Sequence, residues 1–284
     1  MSHQNEEASV TPVSVNFHLI RACNAKCRFC FATFRDVSGQ LSLDGARRLL
    51  DALREAGGEK LNFAGGEPTL HPHIGALLAH ARSLGFTTSL VTNGFRLRRL
   101  LETNSGDLDW VGLSVDSGNE ATQAVLGRGT GGHVAHAVRL AQHCREHGVR
   151  VKLNTVVTAL TWQEDMSPLV RAIRPERWKV FQVLPMAGQN TGSVEGLLIT
   201  EAQLEAFRAR HAHLAAEGVS PIAESNDAMR GSYVMVDPLG RFFGNATGTH
   251  VYSAPILEVG VESALSEVGF SAAKFEARGG RYAW

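Results

Sequence analysis

From residue 13 to residue 184 the chain alternates short β-forming runs with helical patterns. Strands are expected over residues 13–19, 60–64, 86–92, 110–115, 150–156 and 178–184, with helices over 42–56, 74–84 and 133–147 between them. Ser42 is placed to cap the first helix, Leu43, Ala46, Leu49, Leu50 and Leu53 form its apolar stripe, and Gly57-Gly58 ends it. Strands joined through helices pair in parallel, because each crossover returns the chain to the same end of the sheet. The pattern predicts an α/β fold, a partial (β/α)6 barrel of the TIM type rather than a doubly wound open sheet. In such barrels the functional residues gather at the C-terminal ends of the strands.

Side chains alternate across a strand. Asn16 and His18 therefore share one face of the first strand, and Val15, Phe17 and Leu19 share the other. The split recurs: Asn62 against Leu61 and Phe63, Ser114 and Asp116 against Val111, Leu113 and Val115, Lys152 and Asn154 against Val151 and Leu153. Arg177 and Lys179 likewise oppose Trp178 and Val180. The apolar faces must pack beneath the helices, which turns Asn16, Ser114, Asp116, Lys152, Asn154, Arg177 and Lys179 into the lumen. Lys152, Arg177 and Lys179 would be costly to bury unpaired, so the lumen is expected to be open and to hold an anion. A polyphosphate suits three cations.

Directly after the first strand comes Cys23-Asn24-Ala25-Lys26-Cys27-Arg28-Phe29-Cys30. Three thiolates at these spacings can converge on one inorganic centre, since soft sulfur ligands favour zinc, copper(I) or an iron–sulfur cluster. Three are too few for four-cysteine ligation, so a four-iron cluster would keep one iron open to another ligand. A zinc knuckle would need a fourth ligand, for which His18 is near in sequence. Cross-linking by disulfides is not expected in a chain of 284 residues with only Cys144 besides these three. Cys144 itself lacks partners and reads as a core or surface thiol.

The loop, with Phe29 ahead of its last cysteine, resembles the cluster-binding loop of radical S-adenosylmethionine enzymes. The resemblance implies that Cys23, Cys27 and Cys30 hold three irons of a [4Fe–4S] cluster. It implies too that S-adenosyl-L-methionine chelates the fourth iron and is cleaved reductively to a 5′-deoxyadenosyl radical. Gly65-Gly66-Glu67-Pro68 is similar to the motif that binds the cofactor's amino group, where glycine permits close approach and a backbone carbonyl and the Glu can meet an ammonium. Asn93, in Thr92-Asn93-Gly94, is placed to touch the cofactor's sugar, Arg128 to pair with its carboxylate, and Ser114 counts with the same site.

A narrower resemblance is carried by Asn16-Phe17-His18-Leu19, by Leu61-Asn62-Phe63-Ala64 ahead of the Gly-Gly-Glu-Pro turn, and by Arg177-Trp178-Lys179-Val180-Phe181-Gln182. Glu224-Ser225-Asn226, Ser232-Tyr233 and Arg278-Gly279-Gly280-Arg281-Tyr282-Ala283-Trp284 extend it to the C-terminus. All of these are similar to segments of the viperin family, here of the prokaryotic type. The resemblance implies conversion of a nucleoside triphosphate, typically CTP with UTP or GTP open, to its 3′-deoxy-3′,4′-didehydro analogue, a terminator of viral RNA synthesis. It implies that Lys152, Asn154, Arg177 and Lys179 clamp the substrate, that Asn16 reaches a ribose hydroxyl, and that Arg278 and Arg281 add phosphate contacts. Tyr233 becomes the candidate donor of a proton or hydrogen late in the reaction. Ala64 stands where animal members have serine, and Arg281 where they have lysine. The other readings are a radical enzyme acting on a different phosphorylated small molecule, and a non-catalytic zinc and nucleotide-binding module.

Equal numbers of cationic and anionic residues, 28 each, leave no net charge to attract nucleic acid or a membrane surface. Residues 1–12 are polar and acidic, without the basic and apolar runs of a leader or anchor, and cysteine is scarce, so a cytoplasmic protein is expected. The expected organisation is a short polar segment over 1–12, a radical core over 13–200, and an extension over 201–284 that closes over the active site. Within the extension, a helix is expected over 201–216, β-like runs over 233–236 and 241–243, and a flexible loop over 244–253. The partners expected are the nucleotide and a reductant such as flavodoxin or ferredoxin, with a monomer favoured. His71, His73, His133, His136, His143 and His147 read as surface residues, whereas His18 faces inward with its role open.

Overall fold

The computed structural model describes residues 11–284, so most of the polar segment over 1–12 lies outside the described residues. Strand β1 is Ser14–His18, followed by helix α1 Leu43–Glu55, β2 Lys60–Ala64, α2 Ile74–Ser83, β3 Thr87–Thr92 and α3 Leu97–Asn104. Then come β4 Trp110–Ser114, α4 Glu120–Leu126, α5 His133–Glu146, β5 Arg150–Val157, α6 Ser167–Ile173 and β6 Arg177–Gln182. The six βα units are present. The sequence pattern missed α3, α4 and α6, whose seven or eight residues give too few turns for a clear helical period.

The local reasons for these elements are visible in α1. Ser42 takes an extended backbone and its Oγ accepts from Gly45 N at 3.1 Å, which satisfies one of the first-turn donors. Leu49, Leu50 and Leu53 are fully buried against the sheet. Each such leucine contributes about 1.5–3 kcal/mol relative to an exposed one. Cys144 is equally buried on the inner side of α5, among the core side chains.

Beyond β6 the chain forms α7 Glu201–Arg210, β7 Pro221–Glu224, α8 Asn226–Met229, β8 Val234–Val236, β9 Arg241–Gly244 and β10 Val251–Pro255. It ends in α9 Ile256–Val259, α10 Val261–Ser266 and α11 Ala272–Ala277. All strands join one sheet in the order β10-β9-β8-β1-β2-β3-β4-β5-β6-β7. β1 to β7 run parallel, β8 runs parallel to β1, and β9 and β10 add an antiparallel edge. Of residues 244–253, expected as a flexible loop, Gly244 ends β9 and Val251 begins β10, with the loop between them carrying a bridge from Thr249 to Ala187.

β7 and β8 stand at opposite sides of the six-stranded core, and they are not hydrogen-bonded to each other. Yet Tyr233, next to β8, donates its hydroxyl proton to Glu224, the last residue of β7. Side chains can meet across that distance in the order only if the sheet curls, so the architecture is a partial barrel with a seam. Among the described residues no helix is long and apolar enough to cross a membrane.

Candidate active site

The cysteine loop starts where β1 ends and is tied on both sides. Lys26 N donates to Gly127 O at 3.0 Å and Arg28 N to Leu126 O at 3.1 Å, which lays the loop along the end of α4. Gly127 has φ +88°, and a Cβ there would come within 2.1 Å of Lys26 O, so only glycine allows the approach. On the other side, Gly66 N donates to Ile20 O at 2.6 Å and Glu67 N to Ala22 O at 2.9 Å. A Cβ on Gly66 would meet Arg21 O and Ala22 O at 2.3 Å. The Gly-Gly turn thus packs against the chain leading into the cysteines. Phe29 is buried, and its carbonyl accepts from Asn190 Nδ2 at 3.2 Å.

Cys23, Cys27 and Cys30 are free thiols, with Cys23 exposed. Burial raises the Cys27 thiol to about 12, against an opposing pull from the Arg128 guanidinium, and burial raises Cys30 as well. Thiols kept protonated in this way suit a group that brings its own positive charge and displaces the protons, as the irons of a cluster do. Among the described residues no group of three or more His, Cys, Asp or Glu side chains is drawn together for an ion, the three loop cysteines included. His18, the fourth ligand a zinc knuckle would have used, is caged by Phe34 and Phe243 at 5.3 and 5.2 Å between ring centroids. Burial, followed by the neighbouring His250, lowers His18 to about 3, so it is a neutral core residue.

Arg128 lies against this loop. Its Nε donates to Asp116 Oδ2 at 2.6 Å, its guanidinium stands 5.4 Å from the Phe29 ring centroid, and its pKa rises despite burial because Asp116 holds the charge. Glu67 is held from within the protein. Its side chain is 1% exposed and its oxygens accept from Thr69 N, Thr69 Oγ1, Thr92 Oγ1 and Asn93 N at 3.1, 2.5, 2.7 and 2.8 Å. A buried carboxylate must be hydrogen-bonded in this way. It braces Pro68, which opens a short 3-10 turn, and fixes Asn93, whose Nδ2 reaches Asn24 Oδ1 at 2.8 Å.

Below the loop, the lumen carries the polar face. Asn62 Nδ2 donates to Asn16 Oδ1 at 2.7 Å, and Ser114, Asn154 and Lys179 are register partners across β4, β5 and β6. Toward the N-terminal ends of the strands stands a cluster of cations: Lys60, the first residue of β2, with Lys152 and Arg177. Lys60 was missed on the sequence, although alternation puts it on the face of Asn62. Burial, with repulsion from Arg177 and Lys179, lowers Lys60 to about 7. Burial and the Lys60 charge push Lys152 well below its usual range. Among the described residues none of Lys60, Lys152 and Arg177 has a carboxylate at ion-pair distance.

Aromatic rings take the place of counter-ions. The Tyr282 ring centroid lies 4.2 Å from Lys60 Nζ, 5.0 Å from Lys152 Nζ and 3.9 Å from the Arg177 guanidinium carbon. Arg177 Nη2 also donates to Gly279 O at 3.2 Å. The tail therefore enters the lumen from the mouth opposite the cysteine loop. Arg278 is 7% exposed and reaches Glu224 Oε1 at 3.5 Å, whereas Arg281 is 49% exposed and pairs with Glu276 and Glu59. Arg281 is thus turned outward, away from the lumen where the sequence reading had placed it. His71 and His133 are also corrected, since both are buried.

The radical SAM superfamily profile matches residues 17–166. An S-adenosylmethionine-dependent nucleotide dehydratase of Flammeovirga pacifica is 44% identical over 281 residues, covering 95% of this chain and 96% of that protein. The chain belongs to the viperin family of nucleotide dehydratases. The vertebrate RSAD2 of Oncorhynchus mykiss is 37% identical, covering 98% of this chain and 82% of that one. Streptococcus suis SuiB, in a crystal structure bound to S-adenosylmethionine, shares the fold at TM-score 0.66 and 16% identity, with 81% of this chain matched and 59% of that longer chain spanned. A viperin-family chain is a radical enzyme whose cofactors are a [4Fe–4S] cluster and S-adenosylmethionine.

Proposed function

We propose that this enzyme dehydrates a ribonucleoside triphosphate, CTP first among them, to the 3′-deoxy-3′,4′-didehydro nucleotide, which ends RNA chains because it has no 3′ hydroxyl. The observation that carries the reading is the unbalanced charge of the lumen. Lys60 and Lys152 are buried beside the half-buried Arg177 with no carboxylate at ion-pair distance, and a polyphosphate is the ligand that would return them to full charge. Arginine adds a planar fork for two phosphate oxygens.

In this reading Cys23, Cys27 and Cys30 hold the cluster, while Gly65, Gly66, Asn93, Ser114 and Arg128 surround S-adenosylmethionine. Bound there, the two cofactors supply a 5′-deoxyadenosyl radical that takes the ribose 4′ hydrogen. The protein's own part is placement. Asn16, held by Asn62, and Asn154 orient the ribose hydroxyls between the cofactor end and the cation end. Lys152 and Arg177, with Lys60, hold the phosphates. Lys179, lowered by burial to about 8 despite its pairing with Glu224, can give a proton to the departing 3′ hydroxyl near neutral pH. Tyr233 lies 2.9 Å from Lys179 Nζ, within reach of the same reacting centre.

A small protein donor of the flavodoxin or ferredoxin type fits the electron requirement. Anaerobic turnover of the reconstituted enzyme with each of the four common ribonucleoside triphosphates tests the proposal. A product lighter by one water is expected with CTP; 5′-deoxyadenosine with no nucleotide product would assign the radical chemistry to another phosphorylated substrate.

A further inference from the structure

The chain carries no net charge, yet the stretch from Leu19 to Arg35 that holds the three loop cysteines contains Arg21, Lys26, Arg28 and Arg35 and no carboxylate. All four cations are exposed, and Cys23 is the exposed one of the three cysteines. The start of α3 adds Arg96 and Arg99, exposed as well, whereas Arg98 between them pairs with Glu102. Among the described residues none of these six cations has a carboxylate at ion-pair distance. Carboxylates on neighbouring segments are engaged within the protein: Asp36 accepts from Gln189 Nε2 at 3.1 Å, Glu195 from Gly192 N at 2.8 Å and Glu120 from Val134 N at 2.9 Å. The cations are left to face solvent.

Two apolar side chains stand among them. Phe95 is 40% exposed and Val125 55%. Phe95 N donates to Asn93 Oδ1 at 3.1 Å, and the amide of the same Asn93 comes within 3.9 Å of Cys23 Sγ. The Phe95 ring lies 5.9 Å from the His136 ring at 17° and 5.8 Å from that of His133, so it is held in place while open to solvent. Val125 precedes Leu126, whose carbonyl anchors Arg28 N. The apolar pair therefore flanks the cysteine loop, Phe95 on the Cys23 side and Val125 on the Arg28 side. A fixed aromatic ring among arginines is the composition of the centre of a protein interface.

We infer that this face, Phe95 and Val125 ringed by the six cations, is the docking surface for an acidic one-electron donor protein of the flavodoxin or ferredoxin type. This rests on the proposed need for such a donor. Electron transfer weakens steeply with distance, and the loop at Cys23 is where the ligands of the cluster come closest to solvent; the tail fills the opposite mouth of the barrel. In the docked pair the donor is oxidised by one electron and the cluster reduced by one, with no bond made or broken in either protein. Unpaired cations steer an anionic partner to the loop and turn away cationic ones. A nucleic acid would meet the same cations through its phosphates, but it would leave the apolar pair without a matching surface.

The test follows 5′-deoxyadenosine formation by reconstituted enzyme with S-adenosylmethionine and CTP, driven by reduced flavodoxin, by reduced ferredoxin or by excess dithionite, beside calorimetric binding of oxidised flavodoxin. Replacing two cations together, Arg96→Glu with Arg99→Glu, is expected to raise the Kd and KM for flavodoxin by about 10-fold and to leave dithionite-driven turnover unchanged. On the unaltered protein, raising salt from about 0.05 to about 0.3 M is expected to weaken flavodoxin binding by a similar factor, a result that needs no variant to fold. Equal Kd and KM in both proteins and no response to salt, with flavodoxin-driven turnover intact, would overturn the inference and leave the donor reading standing. Turnover with dithionite but with neither donor protein would overturn both. A changed sedimentation of the double variant alone would make the face a contact between copies of this chain, and tighter binding of a single-stranded oligonucleotide than of flavodoxin would make it a nucleic-acid surface; either result overturns the inference.

Discussion

The ammonium of Lys60 donates to the hydroxyl of Tyr282, two residues 222 positions apart in the chain. One begins the second strand and the other lies near the C-terminus, so the tail and the barrel are joined inside the lumen. With Trp110 and Trp284 also near the ammonium, at 5.7 and 5.0 Å, Lys60 is held by aromatic faces rather than by an anion. Cation–π contacts of this kind contribute roughly 0.5–2 kcal/mol each, less than a buried ammonium requires.

Lys60→Met should therefore leave the fold as stable or more stable, because it removes a buried charge repelled by its neighbours. It should raise KM for the nucleoside triphosphate roughly 10- to 100-fold, the value of one charged hydrogen bond, with a smaller effect on kcat. Steady-state kinetics beside thermal unfolding check both halves.

The same residue predicts a pH dependence. Lys60 has a pKa of about 7 in the folded chain against 10.5 for an ordinary lysine, so from pH 7 upward the unfolded chain binds more protons and stability rises with pH. The slope approaches about 1.4 kcal/mol per pH unit, and Lys152, shifted the same way, adds to it. Near pH 9 the buried thiols, Cys27 among them, begin to act in the opposite direction, so the window is pH 7 to 9. Urea unfolding at several pH values should show the rise in wild type and a weaker one in Lys60→Met. Saturating triphosphate should abolish it.

Much of the fold was legible because two periods were clear. Period-two alternation gave β1, β2, β4, β5 and β6 their correct faces, and the Leu49, Leu50 and Leu53 stripe gave α1. The cysteine loop could be read because ligand chemistry restricts spacing. The partners of Glu67 could not be read, because a motif names a residue without saying which way it points, and its buried carboxylate finds donors in Thr69, Thr92 and Asn93. Lys60 could have been found from the face of Asn62. Glu224 and the inward Tyr282 could not, since their partners are brought together only by the curl of the sheet. His18 was ambiguous on the sequence because its phenylalanine cage is assembled from residues 31 to 243.

Asp116→Ala should be severe. Asp116 is fully buried, accepts from Arg128 and also takes Val156 N at 2.9 Å, so its loss leaves a buried guanidinium unpaired. A cost of about 3–5 kcal/mol is expected in urea unfolding. Asp116→Asn, which can still accept from Val156, should cost less.

The most direct measurement uses CTP carrying deuterium at the ribose 4′ position. Turned over anaerobically with S-adenosylmethionine and a reductant, it should yield 5′-deoxyadenosine containing one deuterium, in step with a nucleotide that has lost the 4′ deuterium and the 3′ hydroxyl. Unlabelled 5′-deoxyadenosine formed alongside dehydrated nucleotide, or label retained in the product, would contradict 4′ abstraction and with it the placement of the ribose between the cysteine loop and the lumen cations.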